Sequence, residues 1–203
     1  MTVTVQAELA DVAKRRSSTW WLLSRLVIEQ PQDPWLGELE AVLAAVNTNP
    51  PSPLGAESMS LLTALRVARA ETDGFTTLAV DRTSDCVMDV VQCYQEAGLV
   101  DFGLELGPPD FLGTELRFMS ILAYQEMLAH QVDDVGLAAQ WLAMERHFLE
   151  SHVLNWVPEH CEHLITVAKT PFYMAMAALL SAACQLDQGA LTKVSERIGQ
   201  PIA

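Results

Sequence analysis

The chain has 203 residues, half of them apolar, which excludes a disordered chain and allows one domain with a sizeable core. Twelve basic against twenty-six acidic residues give a net charge of −14. That balance speaks against nucleic acid as a partner, because phosphate binding needs Lys and Arg, and favours a basic peptide.

Apolar residues recur at helical spacing almost throughout and no alternating strand pattern stands out, so the expectation is an all-α, single-domain bundle of seven to eight helices spanning 1–203. The first helix is expected over about 5–29, stopped by Pro31 and Pro34. Within it, Arg15-Arg16 followed by Trp20-Trp21-Leu22-Leu23 has a superficial likeness to a twin-arginine export signal. Arg25 interrupts the apolar stretch and no cleavage site follows, so an amphipathic helix is expected instead. A second helix is expected over about 34–46, and a proline-rich internal loop over about 47–56. A third helix follows over about 56–71.

The fourth helix is expected from Ser84, as N-cap, to a stop at Gly98, with a stripe of Val87, Val90, Val91, Tyr94 and Ala97. After a loop over 99–109, Asp110 is expected to cap a fifth helix reaching about His130, striped by Leu112, Leu116, Met119 and Ala123. Asp133 or Asp134 should start a sixth, running to about Trp156 and broken by Pro158. A seventh covers about 158–168. An eighth opens with Thr170 as N-cap and Pro171 in first position, and a separate short helix is expected over about 190–198. The longest nearly apolar run, 172–184, is shorter than the ~18 residues of a membrane span. With no recognisable leader, the expected location is the cytoplasm.

The charge is uneven. Between Glu71 and Glu115 there are ten acidic residues and one basic, Arg82. This stretch reads either as a solvated acidic face or as a surface for a basic peptide.

Catalytic motifs are missing. The cysteines at 86, 93, 161 and 184 form no C-x-x-C pair, and they read as reduced, buried thiols. His160 and His163, interleaved with Glu159 and Glu162, lack the H-E-x-x-H spacing. No Glu is followed by His at i+3, as helical di-iron sites require. Neither a G-x-S-x-G elbow nor a Gly-rich phosphate loop is present. The expectation is no enzyme, no metal and no cofactor. An enzyme using the His160/His163 region, or an adaptor docking an unrelated helix, stands as the alternative.

Two segments carry a resemblance. One is Gly107-Pro108-Pro109-Asp110-Phe111-Leu112-Gly113-Thr114-Glu115-Leu116-Arg117-Phe118-Met119. The other is Phe148-Leu149-Glu150-Ser151-His152-Val153-Leu154-Asn155-Trp156-Val157-Pro158, supported by Thr170-Pro171-Phe172-Tyr173. In order and spacing they resemble the TorD/DmsD/NarJ family of molybdoenzyme assembly chaperones. Gly107 stands where the family's loop usually has Glu, and Phe111 where it has His. The resemblance implies an all-helical, TorD-like, cytoplasmic chaperone, monomeric or dimeric, including domain-swapped forms. Such a protein binds the N-terminal leader or tail of a molybdopterin-containing subunit until its cofactor is inserted.

A twin-arginine leader offers two guanidinium groups and an apolar stretch, so its receptor should offer carboxylates beside an apolar groove. The candidate cargo contacts are Pro108, Asp110, Phe111, Glu115, Phe118, Met119, His152 and Trp156, with Asp101 and Glu105 as an acidic surround and Met127 as a further wall residue. Each has a structural alternative. Asp110 can serve as a cap, Glu115 as a solvated side chain, and Pro108 as a loop former. Phe118, Met119 and the His152/Trp156 pair can be core.

Overall fold

The computed structural model describes residues 3–29, 35–45, 53–70, 87–100, 102 and 107–199. Among these no strand occurs, and the fold is all-α. The helices are α1 (Val3–Ile28), α2 (Trp35–Ala45), α3 (Gly55–Ala70), α4 (Val87–Glu96), α5 (Leu112–Gln131), α6 (Val135–Phe148), α7 (Leu154–Val167) and α8 (Pro171–Gly199). A π-helical turn, Leu149–Val153, joins α6 to α7 without a gap. The chain divides into two compact units. Unit 1 comprises Met1–Ile28, Asp81–Asn155 and Asp187–Ala203, and unit 2 comprises Glu29–Val80 and Trp156–Leu186.

Unit 1 is organised by α1 against α5. The two run antiparallel in a register that repeats every seven residues, or about two turns. Ser24 Oγ donates to the Gly113 carbonyl at 2.8 Å. Seven residues on, Ser17 and Ser120 each donate a hydroxyl to the other's carbonyl, at 2.9 and 3.0 Å. Seven further, Ala10 packs with Met127. The small residues let the backbones approach closely. A Cβ on Gly113 would lie 2.3 Å from Ile28 Cγ1, so only glycine fits there.

Helix α4 ends as its sequence indicates. Gly98 sits at φ +78°, Leu99 N–H donates to the Tyr94 carbonyl, and Gly98 N–H donates to that of Gln95, both at 2.9 Å. This is a Schellman stop. Of the α4 stripe, Val90 and Tyr94 are buried. The expected cap at Ser84 lies outside the described residues. Helix α6 starts at Asp134, whose carboxylate accepts from Leu137 N–H at 2.9 Å.

Three local expectations are corrected, and a fourth holds in part. The N-cap of α5 is Phe111, with extended backbone and no side-chain cap bond, so Asp110 is not the cap. Pro158 does not break a helix; it lies inside α7. The turn it leaves short of one N–H follows closely on the π turn, so both irregularities fall in one stretch. Thr170 does hold the cap position ahead of Pro171, its carbonyl accepting from Met174 N–H at 3.4 Å, but its buried hydroxyl has no hydrogen-bond partner, so the side-chain cap bond is absent. The separate helix near 190–198 is instead the end of α8, which passes through Gly189 without interruption.

In unit 2, Glu40 of α2 accepts from Arg66 and Arg69 of α3, at 2.8 and 3.3 Å. The buried residues there include Leu39, Leu43, Leu61, Leu65, Cys161, Phe172, Met176, Leu180 and Cys184.

Candidate functional site

The 107–119 segment is built on a backbone that constrains its residues. Gly107 adopts φ +124°, a conformation that side-chain-bearing residues rarely adopt, and a Cβ there would meet the Phe111 ring at 3.7 Å. Phe111 N–H donates to the Pro108 carbonyl at 3.0 Å, closing a turn through Pro109 and Asp110. Tyr94 anchors this turn from α4, its hydroxyl donating to the Pro109 carbonyl at 2.7 Å. Behind it Tyr94 packs in an aromatic cluster. Its ring centroid is 5.0 Å from that of Phe102 and 4.6 Å from that of Phe118. Phe148 lies 4.7 Å from Phe118 and 4.8 Å from His152.

The structure separates the candidate contacts by exposure. Pro108 is exposed, and Phe111 and Trp156 are half-buried. Asp110, Glu115, Phe118, Met119 and His152 are buried, as is Met127. Phe118, Met119 and Met127 thus line the interior and present no open groove wall. Glu115 is not a solvated surface residue, and with Asp110 it forms no exposed carboxylate pair. Asp101 and Glu105 lie outside the described residues, as do the acidic residues from Glu71 to Asp85. From the acidic stretch, the described exposed carboxylates are Asp89 and Glu96. His152 and Trp156 fall in different units. His152 stacks on Phe148, and Trp156 lies 5.4 Å from His160.

The most concentrated charge in unit 1 is one that sequence reasoning passed over. Arg16, inside the expected amphipathic helix, is buried among three carboxylates. Its Nε donates to Asp187 and its Nη1 to Glu126, both at 2.7 Å, and its Nη2 pairs with Glu145. Trp20 Nε1 donates to the second oxygen of Asp187 at 2.8 Å. His130 extends the network, with Nε2 3.3 Å from Glu126 and Nδ1 2.6 Å from Gln6. Burial works against the Arg16 charge, but Glu145, Asp187 and Glu126 outweigh it and raise the guanidinium above its ordinary value. Burial also pushes the Glu145 carboxyl well above the usual range. Arg16 opposes that shift, while Asp187 and Glu126 add to it. A signal existed, since each residue stands at the core phase of its helix, among Ala13 and Trp20, Ala123 and Met127, Leu142 and Phe148, and Ala183 and Leu191.

Unit 2 holds a second feature that the sequence did not suggest. Met59, Thr63 and Val67 of α3, with Pro171 and Met174 of α8, line an open apolar groove of about 630 Å³. Met59, Val67 and Met174 are each about two-fifths exposed. In the same unit, burial, and secondarily His163, lower the His160 imidazole. Among the described residues no third ligand joins these two histidines.

Residues 75–162, a little under half the chain, match the family described as nitrate reductase delta subunit. The matched stretch takes in α4, the Gly107 loop, α5, α6 and the π turn. No curated protein and no solved structure matches the chain.

Proposed function

We propose that this chain, a member of the NarJ/TorD-type chaperone family by its match over residues 75–162, holds the N-terminal segment of a molybdopterin-containing oxidoreductase subunit while that subunit is assembled. The family match is the observation that carries the reading. It implies a chaperone of a molybdoenzyme subunit and no catalysed reaction. Among the described residues no helix is long and apolar enough to cross a membrane. The place of action we propose is the cytoplasm, before export or docking of the client.

The geometry suggests how cargo is held. The exposed Pro108 and half-buried Phe111 offer a rigid apolar lip. The buried Asp110, Glu115, Phe118, Met119 and His152 act by shaping the structure beneath it. In unit 2, the Met-lined groove suits the apolar part of a client segment, because methionine adapts to irregular apolar partners. Charge selection for a leader's arginines rests on exposed carboxylates such as Asp89 and Glu96.

The test is recovery of client from cytoplasm in which molybdoenzymes are expressed, with captured proteins identified by mass spectrometry. The expected result is a large molybdenum-enzyme subunit whose recovery falls at least about tenfold with Met174→Asp, a surface change. Repeated capture of no such subunit refutes the reading.

A further inference from the structure

Cys93 of α4, His147 of α6 and His152 of the π turn converge within unit 1, their ligand atoms all within 4.8 Å of one another. Cys93 Sγ is 3.6 Å from His152 Nε2. Zinc bonds of about 2.3 Å to sulfur and 2.0–2.1 Å to nitrogen, at tetrahedral angles, separate those donor atoms by roughly 3.5 Å. The spacing is thus already that of two ligands sharing one ion.

The π turn explains how the two histidines come together. Residues five apart in an α-helix diverge by about 140° around the axis. A π turn, bonded i→i+5, brings such residues back toward one face. His147 and His152 are five apart, and Leu149–Val153 is π-helical. The irregularity therefore sits where it aims both rings at Cys93. Ser151 Oγ lies 3.4 Å from His147 Nδ1, within reach to serve as a polar partner of that ring. Asp89 and Glu96 flank Cys93 one turn before and after it, exposed and negative, a field that favours a cation.

We propose that Cys93, His147 and His152 form a binding site for a divalent transition metal of the zinc class, with three protein ligands and a fourth, solvent-open position. One thiolate and two imidazoles suit zinc better than magnesium or calcium, which take oxygen. His147 is exposed and Cys93 half-buried, so the ion has an entry path and water completes the tetrahedron. The bound ion ties α4 to the turn joining α6 and α7. It lies one residue from Tyr94, which holds the Pro109 carbonyl, so loading the site steadies the Gly107 loop. The inference is independent of the chaperone reading.

The test uses the full chain, stripped of metal and titrated with Co²⁺. The expected spectrum has a thiolate-to-cobalt charge-transfer band and the intense visible bands of tetrahedral coordination, saturating at one ion per chain. Cys93→Ser abolishes the thiolate band. His147→Ala, a change at the surface, weakens binding at least about tenfold, and His163→Ala leaves it unchanged. Zn²⁺ displaces the cobalt and raises the thermal midpoint of the wild type but not of Cys93→Ser. A thiolate band that persists in Cys93→Ser overturns the proposal, as does the absence of any such band in wild type.

Discussion

Replacing Arg16 by Met keeps most of the side chain's volume and removes its charge. In the folded protein Arg16 pairs with Glu126, Glu145 and Asp187, all buried, so the substitution strands three carboxylates away from water. Removing one partner of a buried ion pair costs about 3–5 kcal/mol. For a chain of this size, roughly 2–4 °C is lost per kcal/mol, so the thermal midpoint should fall by about 6–20 °C. The loss should depend on pH in a definite direction. The Glu145 carboxyl is raised in the folded state, chiefly by burial, with Arg16 as the opposing influence. A carboxyl raised above its unfolded value binds its proton more tightly when folded. Its contribution is present at low pH and is lost as pH rises through the folded value. Without Arg16 the carboxyl rises further, so the variant's deficit widens on going from about pH 5 to about pH 7. Urea unfolding followed by far-ultraviolet circular dichroism at both pH values measures it. Glu145→Gln, which removes one of the excess negative charges while Arg16 keeps two partners, should lose less than Arg16→Met at neutral pH. A deficit under about 1 kcal/mol for Arg16→Met, or one that does not change with pH, refutes the reasoning.

Two backbone positions give further tests. Gly113→Ala places a methyl 2.3 Å from Ile28 Cγ1 and 2.9 Å from the Phe111 ring, and should cost about 1–3 kcal/mol by urea unfolding. Trimming the neighbour with Ile28→Ala should recover part of that loss in a double-mutant cycle, and strictly additive losses would show that the close approach is not the cause. Gly107→Glu installs the residue usual in the family's loop, but at φ +124° it should destabilise by about 1–3 kcal/mol. Unchanged stability would mean that the loop does not require that conformation.

How far the fold could be read from residues depended on how local the determining chemistry was. Gly98 and Asp134 act on their own helix ends, and both do what their types imply. Pro158 misled because a proline's effect on a helix depends on the turn before it, and a π turn leaves no clear mark in composition. Asp110 misled for a related reason, since one residue, Phe111, lies between it and the helix it was expected to cap.

The candidate site divides along the same line. The Pro-rich turn and the helix after it follow from residues next to one another. Glu115 and Asp110 are buried although they close a run of acidic residues that begins at Glu71, and nothing in that run marks them apart from its exposed members. Counting that run as surface charge assumed that carboxylates stay in water. In unit 1 several do not, and the assumption fails most plainly at the Arg16 network. A lone cation on the apolar stripe of α1, and Glu126, Glu145 and Asp187 on the stripes of α5, α6 and α8, are each unfavourable if buried alone. Their cost is offset only when four helices bring them to one point. Charges at core phase on separate helices are therefore evidence about which helices meet, and read jointly they would have placed α1, α5, α6 and the end of α8 around one centre.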